Sequence, residues 1–77
     1  MKRYDLRELK NNFTERMIDM INNGVEAGES AVFIFEISDF SSVQRSAEAI
    51  KESGFELLNS LKYNEVDWMH VVRKTGG

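Results

Sequence analysis

The chain has 77 residues, no cysteine, one histidine and a net charge of −3. A chain this short buries only about 60% of its unfolded surface, so its core is modest. Without cysteine it forms no disulfide and no thiolate-ligated zinc or iron–sulfur site, and a single histidine rules out a multi-histidine metal centre.

The first segment, YDLRELKNNFTERMIDMINNG, predicts a helix. Leu6, Leu9, Phe13, Met17, Met20 and Ile21 recur at three- and four-residue steps, the period of one apolar stripe. Asp5 and Glu8 stand near capping-box spacing, Tyr4 is placed to staple onto Leu9, and Asn22, Asn23 and Gly24 supply the stop. SAVFIFEI follows, too short for a helix and rich in β-branched and aromatic residues. Its alternation sends Phe33, Phe35 and Ile37 one way and Val32, Ile34 and Glu36 the other, so both faces of this strand are largely apolar.

The stretch Ser41–Gln44 fits a capping box, and Val43, Ala47 and Ile50 mark the inner face of a second helix closed by Gly54. FELLNSLK and DWMHVVRK then read as two strands joined by a polar turn around Asn64. No repeat, linker or low-complexity segment interrupts residues 1–77, which are expected to form one domain with positions 75–77 frayed.

The order α-β-α-β-β predicts a two-layer α+β fold. A right-handed crossover followed by a hairpin places the third strand between the first and second, giving a three-stranded antiparallel sheet of order 1-3-2 packed by two helices. If both helices share one face, the other is an open apolar surface fit for a partner or ligand. The alternative puts one helix on each face and covers both.

The same topology gathers one rim. Ser38, Asp39, Phe40, Ser41 and Ser42 are expected to meet Lys62, Tyr63, Asn64 and Trp68, with Lys2, Arg3 and Tyr4 arriving if the first helix runs antiparallel to the first strand. A helix start carries about half a positive charge and free N–H groups. Ser41, Ser42, Arg45, Lys62 and Asn64 offer polar contacts for a phosphate there, and Tyr63, Trp68 or Phe40 a stacking surface for a flat ring. That set suits a mononucleotide or flavin, although no glycine-rich fingerprint is present and Asp39 repels an anion. The plain alternative is that Ser41 caps the helix, worth about 1 kcal/mol, while Trp68 packs in the core.

Other chemistry is weaker. Ser41, Ser42 and His70 do not make a nucleophile and base, because a mid-strand His70 is not placed against those serines and no nucleophile elbow is present. No catalytic residue is assigned. Glu36, Asp39, Glu65 and Asp67 follow no cation-loop pattern, so capping and solvation explain them and no metal ligand is named. Interspersed charges argue against a nucleic-acid surface. The longest apolar run, Ala31 to Phe35, is far short of the roughly 20 residues of a spanning helix, and MKRYDLRELK lacks a signal peptide's apolar middle. A soluble cytoplasmic protein is expected, attached to the inner membrane only through a partner.

With MKRYDLRELK, the run FEISDFSSVQRSAEAIKESGFELLNSLKYNEVDWMHVVRK resembles the small proteins encoded in epsilonproteobacterial respiratory complex I operons. These stand in place of the E-subunit gene of NADH-quinone oxidoreductase, beside an atypical replacement for the F-subunit. The likeness spans nearly the whole sequence and centres on DFSS, FELLNSL and DWMHVVRK. The standard E-subunit holds a two-iron cluster on four cysteines, which this protein lacks. The resemblance implies instead binding of flavin mononucleotide (FMN) on a fold unlike flavodoxin's. It also implies a place beside the peripheral-arm subunits, especially the F-subunit replacement, and electron input from a donor other than NADH such as a flavodoxin or ferredoxin. At most this makes the protein an electron-transfer component. It carries over no ligand residue, and a cofactor-free adaptor docking through the apolar sheet face is the alternative.

Overall fold

The computed structural model describes residues 1–37 and 39–75. Strand β1 (Lys2–Asp5) leads into a 3-10 segment (Arg7–Asn12) and helix α1 (Phe13–Gly24). Strand β2 (Ser30–Glu36), helix α2 (Phe40–Glu52) and the hairpin of β3 (Glu56–Lys62) and β4 (Asp67–Arg73) complete the fold. The expected α+β class holds, but the sheet has four strands in the order β1-β2-β4-β3 and is mixed. This corrects the three-stranded antiparallel sheet of order 1-3-2. β4 lies between β2 and β3 and is antiparallel to both, while β1 adds a parallel edge to β2.

The correction has a local cause at the N-terminus. Of Lys2, Arg3, Tyr4 and Asp5 only Tyr4 is aromatic, and it turns inward to stack on Phe33, its register partner, at 5.1 Å between ring centroids. That contact replaces the expected staple onto Leu9. Asp5 does not open a capping box with Glu8 either, because its carboxylate accepts from the Arg7 backbone N–H and guanidinium. Helix α1 therefore begins only at Phe13. Leu6 and Leu9 keep their three-residue step, but on a 3-10 turn, whose period of three a helical stripe cannot distinguish from its own.

Because β1 is parallel to β2, Lys2 pairs with Ala31 at the start of that strand. Its ammonium donates to the Gly24 carbonyl, and Lys74 donates to the Asn22 carbonyl. Two lysines remote in sequence thus cap the negative end of α1, whose last turn has no basic residue of its own. Lys2 consequently sits at the end of the sheet opposite the expected rim.

Both helices pack on one sheet face. Phe13 of α1 stacks on Phe35 at 4.1 Å, and Ser46 of α2 reaches His70 at 2.8 Å. Leu6, Phe13, Met17, Ile21, Phe33, Phe35, Val43, Ile50 and Val72 are buried in the layer between. The other face carries Val32, Ile34, Met69, Val71 and Leu61 in adjoining register positions, with neither helix over them. Gly54 ends α2 with a φ of +87°, and the Gly54 and Phe55 N–H groups donate to the Lys51 and Ile50 carbonyls, a closure that favours glycine.

Candidate functional site

Asp39, not Ser41, is the N-cap of α2. Its Oδ1 accepts from the Ser41 N–H at 2.8 Å and from the Ser41 hydroxyl, while the Ser42 hydroxyl donates to the Asp39 carbonyl at 2.8 Å. The helix starts two residues earlier than Ser41–Gln44 spacing implies, because an aspartate two residues before a backbone N–H is already a cap. Those Ser41 bonds, the hydroxyl first, hold the Asp39 carboxyl below its ordinary pKa. The positive end of α2 therefore faces a fixed carboxylate.

Beside this turn lies a cleft of about 570 Å³. Asn12, Phe13, Thr14 and Glu15 form one wall and Asp39, Ser42 and Arg45 the other. The first turns of α1 and α2 thus converge on one space, with Arg45 as its cation. Arg45 also extends toward the Ser41 hydroxyl at 3.4 Å. Of the residues read from sequence, Ser42 and Arg45 line the cleft and Ser41 stands behind them. The α1 wall escapes a sequence reading, since nothing there marks that the helical stripe breaks at Lys10 and that α1 starts only after Asn12.

On the neighbouring flank of the same turn, Phe40 meets Trp68 edge-on at 5.7 Å. Trp68 is half-buried and donates from Nε1 to the Ser60 hydroxyl at 2.7 Å. Lys62 is its cross-strand partner and shares its face. Phe40, Lys62 and Trp68 make a second surface adjoining the cleft.

Tyr63 and Asn64 belong elsewhere. The Asn64 side chain closes the hairpin turn, accepting from the Val66 and Asp67 N–H groups and donating to Asp67 at 2.8 Å. The Tyr63 ring lies 6.0 Å from the Arg7 guanidinium, which pairs with Asp5 and Asp67. Those pairs, Asp5 first, raise the Arg7 pKa, and Arg7 lowers that of Asp5 to about 2. Ser38, expected at this rim, lies outside the described residues, as do Gly76 and Gly77 of the expected frayed end.

Each carboxylate considered for a cation has its own partner. Glu36 pairs with Lys10, Asp39 caps α2, Glu65 lies 3.9 Å from Lys62, and Asp67 pairs with Arg7. Among the described residues no group of three metal-ligating side chains comes together, and no helix is long and apolar enough to cross a membrane. His70 is fully buried, its Nε2 bonded to Ser46 rather than to Ser41 or Ser42, and burial lowers its pKa to about 4.

Fold and site together define a small two-layer α+β module with a cleft between helix starts and a sheet face that neither helix covers. Residues 1–74 match the family described as the putative E-chain of NADH-ubiquinone oxidoreductase, and the protein belongs to that family. It is also similar to the solution structure of HP1264 from Helicobacter pylori, at 49% sequence identity and a TM-score of 0.69. That similarity covers 99% of this chain and 100% of the other. No curated protein matches.

Proposed function

We propose that the protein is an FMN-binding accessory subunit of a respiratory NADH-quinone oxidoreductase-like complex. It takes the place of the E-subunit and helps electrons enter from a donor other than NADH, such as a flavodoxin or ferredoxin. The observation that carries the ligand is the cleft of about 570 Å³ between the starts of α1 and α2, with Arg45 in its wall. Its volume is within the range of small-molecule sites, roughly 300–1,000 Å³.

The donor set fits a phosphate through Arg45, the Ser42 and Thr14 hydroxyls and the positive end of α1. It fits less well at α2, where Asp39 already takes the Ser41 N–H. The Phe40–Trp68 surface with Lys62 offers the isoalloxazine a flat neighbour. Bound flavin supplies one- or two-electron transfer, and the protein's own residues hold and orient it. With no cysteine, they ligate no iron–sulfur cluster through thiolates. Titration with FMN, followed by flavin fluorescence and amide shifts, tests this reading. Quenching with shifts at Thr14, Ser42 and Arg45 supports it, and silence at millimolar flavin overturns it.

The helix-free face, where Val32, Met69 and Val71 are half-buried and Leu61 is exposed, favours a second reading, a cofactor-free adaptor that docks a peripheral-arm partner such as the F-subunit replacement. Tagged protein would then co-purify with oxidoreductase subunits, and Met69→Glu with Leu61→Glu would abolish that while leaving any flavin titration unchanged.

A further inference from the structure

We propose that α2 is an acid-releasable element, seated on the sheet by the Ser46–His70 bond and freed as a unit when His70 takes up a proton. The buried side chains of α2 are Val43, Ser46 and Ile50, so the middle anchor of this helix is a hydroxyl and not an aliphatic group. Ser46 Oγ donates to the Val43 carbonyl at 3.0 Å. Toward His70 Nε2, at 2.8 Å, it therefore acts as acceptor, and the ring carries its proton on Nε2. That leaves Nδ1 as a bare acceptor, buried and without a partner.

A second proton would have to sit on Nδ1, where nothing accepts it. The groups around the ring are Phe33 and Phe35 of β2, the latter at 4.8 Å between centroids, Ser60 of β3, and Val43 and Ser46 of α2. Phe13 of α1 lies against Phe35. None of these is charged, and burial alone displaces the ring's titration among the described residues. The seated helix thus refuses the proton, whereas released α2 lets solvent reach His70 and restores an ordinary histidine.

The direction follows from linkage. Above about pH 6.5 neither state is protonated and the released fraction is constant. Between there and about pH 4 each unit of acidification multiplies it roughly tenfold. The sheet keeps its own backbone ladder through this range, and α2 does not share it. Ser42 and Arg45 leave with the helix, so the same event opens the cleft they line.

Amide hydrogen exchange on the full chain at pH 7.5 and 5.0, corrected for intrinsic rates, tests the proposal. Amides of α2 should be less protected than those of β2 and β4 at both values. Their protection should fall about 30-fold on acidification. The His70→Phe variant should lose that pH dependence. Equal protection of α2 and the sheet at both pH values would mean one global opening and would overturn the idea, as would an α2 protection that ignores pH. The wild-type measurement decides the matter even where the variant fails to fold.

Discussion

Arg7 and Asp67, sixty positions apart, meet at 3.2 Å between guanidinium and carboxylate, with the Asp67 side chain only 6% exposed. The pair ties the turn after β1 to the start of β4, and Asn64 adds a second donor to the same carboxylate. A nearly buried carboxylate with two such donors is costly to delete, because the Arg7 Nη1 and Asn64 Nδ2 donors lose their acceptor together, although Arg7 keeps its pair with Asp5. Asp67→Ala should lower stability by about 1.5–3 kcal/mol in urea denaturation, the range for hydrogen bonds to charged groups. Asp67→Asn should lose less, since its carbonyl oxygen still accepts one bond. Equal, small losses for both would show that the pair does not stabilise the seam.

Acid should weaken the fold in two stages. His70 has a folded pKa of about 4 against an ordinary value of 6.5, so its contribution is complete above pH 6.5 and is lost as pH falls toward 4. The total is on the order of 3 kcal/mol. Asp5 and Asp39 titrate below their ordinary values, so their contributions persist until pH falls below about 4 and are lost from there. Stability from urea midpoints should therefore decline first between pH 6.5 and 4 and again below. His70→Phe should erase the first decline and keep the second, and a first stage surviving in that variant would assign it to another group.

Lys10 marks a kink inside the 3-10 segment, three residues before α1, with φ 50° and ψ −117°. A side chain there is strained by about 1–3 kcal/mol, which glycine avoids. Lys10→Gly forfeits an exposed pair with Glu36 at 3.4 Å, worth at most about 1 kcal/mol. The variant should melt a few degrees higher, since about 1 kcal/mol moves a domain of this size by roughly 4–8 °C. A lower melting temperature would show that the Lys10–Glu36 contact outweighs the strain.

Much of this fold is legible because its helices and long strands advertise their periods. Phe33 and Phe35 alternate with Val32 and Ile34, and the hairpin strands are each rich in residues that suit a sheet. The N-terminal edge is not legible, since Lys2–Asp5 is short, polar and pairs only with a strand nearly thirty residues later. The site is half legible for the same reason. Ser42 and Arg45 follow from one helix start, while the opposing wall exists only because the 3-10 segment delays α1 to Phe13. Proximity in sequence puts Tyr63 and Asn64 beside Lys62 at the rim, whereas Asn64 is held by its own turn and Tyr63 lies against Arg7.

Asp39 offers the sharpest control over the proposed flavin site, because its cap and its charge can be separated. Asn caps a helix about as well as Asp, so Asp39→Asn should leave α2 intact. It removes one negative charge from the cleft wall that also carries Arg45. If a flavin phosphate binds there, affinity should rise about three- to tenfold at low ionic strength, and the gain should shrink in molar salt. Arg45→Ala should act in the opposite sense by a similar factor. Titration of FMN into the two variants at low and high salt reads both effects. Flavin that binds the wild type yet ignores both substitutions would put its phosphate outside this cleft, leaving the Phe40–Trp68 flank as the remaining candidate.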